Sequence, residues 1–272
     1  MASKLWERHQ APHQALAPLE IAVHLNPVPL PLDTATYLKA LREQTAAFEP
    51  LLRTADPDTP VTTCGSWSLH DLGIHLGQSS RWVAEVVRSG QLCREEFAPA
   101  AGEQLADWYA EGAASLLEVL DEADPAASCW AFGIEDAVAA LWFRRVAMDT
   151  AVHLVDAQLA TGAEVYVDPL IAADGVDEVF ALMVPRVWQG SEQKPLPASV
   201  ALRTTDTGHG WLIQPGDVPR ARPLASGPAA AEVEATAAEL LLVLWKRQPM
   251  DSRRISGDST AARALLTATL TL

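Results

Sequence analysis

Cysteine is scarce in this sequence, with three residues in 272 and none of them in a CxxC pair. Cys64, Cys93 and Cys129 are odd in number and widely spaced, which argues against a disulfide framework and against a zinc ribbon. A metal ion bound to this chain would therefore have histidine and carboxylate ligands.

Long apolar runs and basic clusters are also missing. No apolar stretch approaches the ~20 residues that span a bilayer, and the N-terminal segment MASKLWERHQ lacks the apolar core of a signal peptide. We therefore expect a cytoplasmic protein. Basic residues number 20 against 35 acidic ones, which gives a net charge of −15 and a pI near 4.8. This charge repels phosphate backbones and anionic head groups, so nucleic acid and membranes are not expected as partners.

Three common catalytic signatures are absent as well. The chain contains no GxSxG, no P-loop and no GxGxxG, which sets aside serine hydrolases, P-loop NTPases and dinucleotide oxidoreductases.

The composition is that of a globular protein, 49% hydrophobic and 20% charged, with a mean hydropathy of +0.06. Its 272 residues suffice for two small domains with separate cores. We expect small-molecule partners and a monomer or homodimer.

Apolar residues recur at helical spacing in four segments that follow an irregular arm at residues 1–33. We predict helices from Asp33 or Thr34 to the Asp56-Pro57 turn, from Ser68 to about Gly90, from about Glu103 to Asp121, and from about Glu135 to Ala160. Ser68 and Asp71 form a capping-box-like start, and Thr161-Gly162 supplies a stop. Four amphipathic helices joined by modest loops predict a bundle at residues 34–188, with a further short helix at about Pro169 to Met183.

Strand patterns appear beyond a Pro/Gly/Ser-marked linker near residues 190–198. The segments SVALRTTD and GWLIQPG predict a hairpin around residues 207–210. The stretch AAEVEATAAELLLVLWKRQ predicts a strand followed by a helix, and a last helix is predicted at about Ser259 to Thr267. The fold class is therefore an N-terminal four-helix bundle with a small C-terminal α+β domain at residues 189–272.

A candidate metal site lies on the fourth predicted helix. Asp149 and His153 are four residues apart, so their side chains project from one face and can chelate one ion. His75, on the rim of the second helix, could point to the same place. Three N and O ligands leave an open coordination position, which is typical of a catalytic site, and zinc is the first candidate. Asp156, one turn below His153, is placed to accept the second ring N–H.

A simpler interpretation fits the same spacing. Arg145 and Asp149 would form an i, i+4 ion pair, His153 would be a satisfied half-buried histidine, and His75 would be unrelated to them. Spacing alone favours this interpretation.

Two sequence blocks favour the metal site instead. VTTCGSWSLHDLGIHLG at 61–77 and LWFRRVAMDTAVHLVDAQLATG at 141–162 resemble the signature blocks of the mycothiol-dependent maleylpyruvate isomerase family, an actinobacterial branch of the DinB-like thiol transferases. The first block matches Trp-(Ser/Thr)-x-x-Asp-Leu-x-x-His, and the second matches acidic-x-x-x-His-x-x-Asp. AADGVDEVFALMVPR at 172–186 and LLLVLWKR at 240–247 resemble the C-terminal domain of that family. The resemblance covers nearly everything after residue 34.

The resemblance implies a DinB-like bundle in which His75, Asp149 and His153 are the metal ligands and catalytic residues, with Asp156 behind them. It also implies mycothiol as the thiol cosubstrate. Arg247 and Arg145 are the candidates for binding thiol or substrate, and a surface salt bridge is the alternative role for Arg247. The isomerase members place Glu where this chain has Asp149.

We therefore predict a metal-dependent thiol transferase or thiol-dependent isomerase, in which a metal-bound thiolate adds to an electrophilic carbon of a small organic substrate. Two alternatives stay open. One is a thiol-exchange step in the biosynthesis of a specialised metabolite, and the other is a metal-binding or sensor protein without turnover.

Overall fold

The structure is a computed structural model that describes residues 32–188 and 191–271. Four long helices come first: α1 (Thr34–Thr54), α2 (Leu69–Ser89), α3 (Leu105–Glu122) and α4 (Ala140–Thr161). They are followed by α5 (Pro169–Glu178), a π-helical turn (Val179–Met183) and α6 (Val184–Trp188). The remaining elements are β1 (Val200–Thr204), β2 (Gly210–Gln214), β3 (Arg220–Pro223), β4 (Ala231–Ala235), α7 (Ala237–Leu244), β5 (Ile255–Gly257) and α8 (Ser259–Thr267). The predicted arm at 1–33 lies almost entirely outside the described residues.

Local capping sets most helix ends where the sequence predicts them. The Asp33 side chain accepts a hydrogen bond from the Thr36 backbone N–H at 2.7 Å and starts α1. Ser68 and Asp71 form a complete capping box at the start of α2. Gly90 and Gly162 adopt the left-handed conformation that ends α2 and α4.

The start of α4 differs from the prediction, since the helix begins at Ala140 rather than at about Glu135. The residues before Ala140 form turns and an isolated bridge instead of helix, since Val138 pairs with Ser128 and the Cys129 N–H donates to the Ala137 carbonyl at 2.9 Å. Leu159 lies at helical spacing from the buried Val152 and Val155, yet it is 47% exposed. Helical spacing identifies a face, but it does not show how much of that face other elements cover.

The bundle packs α2 against α3 and α1 against α4. Gly77 allows the close approach of α2 and α3, because a Cβ atom there would lie 2.1 Å from Trp108 Cζ3. Helix α4 is buried on most of its surface, including the charged side chains of Arg144, Arg145 and Asp156. Charged groups in such a place need partners.

The C-terminal elements form a five-stranded sheet in the order β3-β2-β1-β4-β5. Strands β1 and β2 make the predicted antiparallel hairpin, and β1 also pairs in parallel with β4. The predicted strand-to-helix transition is β4 followed by α7, and α8 spans Ser259–Thr267 as predicted. Strands β3 and β5 were not predicted, and the helix expected at about Pro169 to Met183 continues to Trp188 through its π-helical turn.

One apolar core joins the sheet to the bundle. Val152 and Val155 of α4 and Val176 of α5 pack in the same buried cluster as β1, β4 and α7. The predicted fold class, a four-helix bundle followed by a small α+β unit, is thereby confirmed. The predicted domain boundary falls beside residues 189–190, outside the described residues, so the boundaries stay predictions. Among the described residues, no helix has both the length and the apolar character that crossing a bilayer requires.

Candidate metal centre

The structure brings together His75 from α2 and the Asp149–His153 pair from α4. One possible ligand atom from each of the three lies within 4.8 Å of the others. The ring centroids of His75 and His153 are 5.0 Å apart, and His75 Nε2 lies 3.8 Å from Asp149 Oδ2. His75 and Asp149 are half-buried and His153 is buried, so the cluster lies at the edge of the bundle interior.

The two carboxylate oxygens of Asp149 have different surroundings. Oδ1 accepts a hydrogen bond from Arg145 Nη2 at 2.7 Å, whereas Oδ2 faces His75. Burial raises the pKa of Asp149, but the charge of Arg145 and the neighbouring His75 and His153 together outweigh burial and hold the pKa well below its ordinary value. Asp149 is therefore ionised at neutral pH, with one oxygen directed at the histidines.

Asp156 holds the ring of His153 from behind. His153 Nδ1 donates to Asp156 Oδ2 at 2.9 Å, which leaves Nε2 as the nitrogen for another partner. Burial lowers the pKa of His153. The hydrogen bond to Asp156 and the other polar groups around the ring together outweigh burial and raise that pKa to about 10. The spacing of these residues predicted this orienting contact.

Arg247 and Cys64 complete the surroundings of Asp156. Arg247 donates to both carboxylate oxygens, from Nε to Oδ1 at 2.8 Å and from Nη2 to Oδ2 at 2.7 Å. The Cys64 thiol donates to Oδ2 at 3.2 Å. Burial raises the pKa of Asp156, yet its bonds to His153 and Arg247 bring it well below the ordinary value. Arg247, a candidate for binding thiol or substrate, thus forms a buried fork on Asp156 and not a surface salt bridge.

Two groups in the described residues could hold a metal ion, and they share His153. The group of Cys64, His153 and Asp156 is the weaker candidate, because both Asp156 oxygens are already bonded to the Arg247 guanidinium. The group of His75, Asp149 and His153 offers two nitrogens and one carboxylate oxygen.

The second group fits a divalent cation. The 3.8 Å between His75 Nε2 and Asp149 Oδ2 is too long for a hydrogen bond. It approaches the separation of about 3.4 Å expected between two tetrahedral zinc ligands with bonds of about 2.1 Å. The donor types and their spacing therefore suit zinc, with a coordination position left for another ligand.

Arg145, the other candidate for binding thiol or substrate, is buried between two acids. Nη2 donates to Asp149 and Nη1 donates to Glu178 Oε2. Burial raises the pKa of Glu178 to about 7 against the opposing effect of Arg145. The i, i+4 pair of the simpler interpretation is thus present, and it coexists with the convergence of Asp149 and the two histidines.

Aromatic rings border the site on two sides. The Trp67 ring lies 5.1 Å from that of His75 and 6.3 Å from that of His153. The Trp245 ring lies 5.7 Å from the guanidinium carbons of both Arg145 and Arg247. Rings in these positions limit the freedom of the side chains around the cluster.

Sequence reasoning missed Glu178 and gave Cys64 no place in the site. Glu178 is 33 residues from Arg145, and Cys64 is 92 residues from Asp156. No local spacing connects such pairs. The one feature of the sequence that pointed to Glu178 was its position in the block AADGVDEVFALMVPR, which resembles the family's C-terminal domain.

Two family models match successive parts of the chain. Residues 38–158 match the family model described as the mycothiol maleylpyruvate isomerase N-terminal domain, and residues 171–264 match the MDMPI C-terminal domain. No curated protein matches the chain as a sequence relative.

Two solved structures share the fold. A crystal structure of the mycothiol-dependent maleylpyruvate isomerase is 13% identical with a TM-score of 0.55, covering 78% of this chain and 88% of that one. A histidine-to-alanine mutant of that isomerase is 12% identical with a TM-score of 0.57, covering 84% of this chain and 94% of that one. At such low identity the likeness establishes the fold alone.

Proposed function

We propose that this chain, which belongs to the mycothiol maleylpyruvate isomerase family, is a metal-dependent enzyme that uses a small thiol to act on an electrophilic carbon. The observation that carries the proposal is the convergence of His75, Asp149 and His153 at the edge of the bundle interior. Mycothiol is the first candidate for the thiol, since both matching family models belong to a mycothiol-dependent isomerase. The organic substrate is small and carries an electrophilic carbon.

His75, Asp149 and His153 are the proposed ligands of a divalent cation, with zinc as the first candidate. When bound, such a cation lowers the pKa of a thiol at its open position, so that a thiolate is available at neutral pH. With a cation bound, His153 would have lost its second ring proton, so that both histidines would contribute neutral nitrogens and Asp149 one negative charge. A divalent cation held by these three residues would keep a net positive charge, and this charge would stabilise an anionic sulfur more than a neutral one.

The side chains behind the ligands keep them in place. Asp156 fixes the ring of His153 through Nδ1, and Arg247 fixes Asp156 through two hydrogen bonds. Arg247 lies after α7, so it links the C-terminal unit to the site on α4. We retain Arg247 as the candidate for binding a carboxylate of the thiol or substrate, since its guanidinium lies next to the group that holds His153.

The proposed reaction begins when the thiol loses its proton and the sulfur adds to an electrophilic carbon of a C=C bond. The C–S bond forms, the π bond opens, and its electron pair moves onto the electron-withdrawing group conjugated with it. Loss of the thiolate returns that pair to the C=C bond, whereas uptake of a proton by the carbon retains the adduct. If the thiol leaves again after bond rotation, the C–S bond breaks and the net result is a cis/trans isomerisation. If the bond persists, the product is an S-conjugate and the enzyme is a transferase. The same residues serve both outcomes, and the substrate decides between them.

The proposal is tested with metal-free protein to which Co²⁺ is added. We expect one ion per chain, and we expect mycothiol to add sulfur-to-cobalt charge-transfer absorption to the spectrum. S-methylated mycothiol is the matched control, because it has no thiol proton to lose. Substrate turnover should require both metal and thiol, and an equal rate without thiol would contradict the proposal.

Replacing the proposed ligand on α2 by alanine, His75→Ala, should remove this metal binding. His70→Ala is the control, because His70 lies on the same helix and is exposed. Equal metal affinity in the two variants would show that His75 is not a metal ligand.

The variant Asp156→Asn tests the support of His153. We expect metal affinity to fall by roughly tenfold to a hundredfold, as for other groups that hold a ligand from behind. The proposed cause is a weaker bond to His153 Nδ1 and a guanidinium of Arg247 without its carboxylate partner. Competition with a chromophoric chelator measures the change. A loss as large as that of a ligand variant would make Asp156 itself a ligand.

A further inference from the structure

Two consecutive arginines on α4 each reach across to α5. Arg144 pairs with Asp174 and Asp177, and Arg145 pairs with Glu178. Asp174 and Glu178 lie four residues apart, so the two acids occupy one face of α5, one helical turn from each other. Each of them meets one of the two arginines. All but Asp177 are buried, which makes the two bridges similar in kind.

Only one of the two bridges continues to the proposed ligands. Nη1 of Arg145 donates to Glu178 and Nη2 donates to Asp149 Oδ1 at 2.7 Å, so the guanidinium joins α5 to a proposed ligand. The hydrogen bonds and ion pairs of Arg144 in the structure go to Asp174 and Asp177. The Arg145 bridge is thus the one placed to affect the metal centre.

The planar guanidinium of Arg145 carries charge, and it also constrains the directions of the hydrogen bonds that it donates. Its N–H groups form a rigid fork, so the bond from Nη1 to Glu178 fixes the direction in which Nη2 points. Nη2 then occupies Asp149 Oδ1, and Oδ2 is the oxygen that faces His75 at 3.8 Å. Without Glu178, one buried end of Arg145 would lose its acid, and the fork would be free to turn toward Asp149.

We infer that Glu178, acting through Arg145, is a positioning residue that presents Asp149 to the metal with a single oxygen, an inference that rests on the proposed function. Glu178 is not one of the three proposed ligands, and it bonds to Arg145, which is not one either. The Oε2 atom of Glu178 bonds to Arg145, and Oε1 has no hydrogen-bond partner among the described residues. The bonded oxygen of Glu178 therefore acts on the site through the Arg145 guanidinium.

The test compares Glu178→Gln with Asp174→Asn in the full chain. Each change keeps the side-chain shape and removes the acid from one buried bridge, so both variants should lose stability. The metal dissociation constant, measured by chelator competition, should rise by about tenfold in Glu178→Gln, in the lower range known for groups behind a ligand. In Asp174→Asn it should stay as in the wild type.

A spectroscopic readout separates positioning from general damage. The d–d absorption of bound Co²⁺ should change in Glu178→Gln and stay unchanged in Asp174→Asn, because only the first variant alters the bonding of Asp149. Arg145→Lys provides a second route should Glu178→Gln not fold. A lysine keeps the charge but has no fork to hold both acids, so the spectrum should change here as well.

Each outcome decides the inference. Metal binding by the wild type with equal constants and spectra in Glu178→Gln and Asp174→Asn overturns the positioning role and leaves the proposed function standing. An unchanged Co²⁺ spectrum in Arg145→Lys has the same meaning. A wild-type chain that binds no metal overturns the proposed function, and this inference with it.

Discussion

Replacing His153 by alanine is expected to abolish metal binding and thiol chemistry while the bundle stays folded. His153 supplies one of the two proposed nitrogen ligands, and the loss in metal affinity should exceed the roughly hundredfold limit for groups that only support a ligand. The fold should persist because Val152 and Val155, which flank His153 in the core, are unchanged. Asp156 also keeps its two bonds to Arg247.

Metal content after dialysis measures the loss, and far-ultraviolet circular dichroism checks the fold of the same sample. His209→Ala is the matched control, since His209 is exposed on the hairpin between β1 and β2. A His153→Ala variant that retains a full metal complement would show that the ion lies elsewhere. The simpler interpretation, an Arg145–Asp149 ion pair beside a buried histidine that binds no metal, would then be favoured.

Replacing Arg144 by methionine is expected to lower the free energy of unfolding by about 3–5 kcal/mol. Arg144 and Asp174 form a buried pair whose side chains are 6% and 1% exposed. Without Arg144, Asp174 would remain in the interior with the Tyr37 hydroxyl as a hydrogen-bond donor but with no opposite charge in contact. Burial of a lone carboxylate is costly because water solvates the charge far better than the protein interior does.

Urea denaturation at neutral pH measures this change. The control is Lys39→Met, which removes an exposed i, i+4 pair with Glu43 and should leave the free energy of unfolding nearly unchanged. Equal stability of the two variants would mean that the buried bridge between α4 and α5 contributes no more than a surface pair. Metal affinity should be the same in both, since neither residue contacts a proposed ligand.

Features that depend on neighbours in the chain could be predicted closely. The capping box at Ser68 and Asp71 and the left-handed glycine after α2 form within a few residues of the helix ends they define. The Asp149–His153 spacing likewise places two side chains on one turn whatever surrounds the helix. The β1–β2 hairpin follows from two alternating segments and the turn between them.

Features that depend on distant partners were missed or misplaced. Strand β5 has three residues and exists through its pairing with β4, more than twenty positions earlier. The start of α4 is displaced because Val138 pairs with Ser128. Short edge strands and isolated bridges of this kind leave no periodicity of their own, so only the folded chain reveals them.

Periodicity, caps and i, i+4 spacing are local properties of the backbone, so the amino-acid sequence alone was enough to predict the helical bundle, the hairpin and the shared face of Asp149 and His153 on α4. Three contacts are visible only in the folded chain: His75 meets that pair, Arg247 bonds to Asp156, and Arg145 joins Asp149 to Glu178. The physical reason is burial. Charged groups taken out of water must find opposite charges, and packing brings those together from helices far apart in the chain.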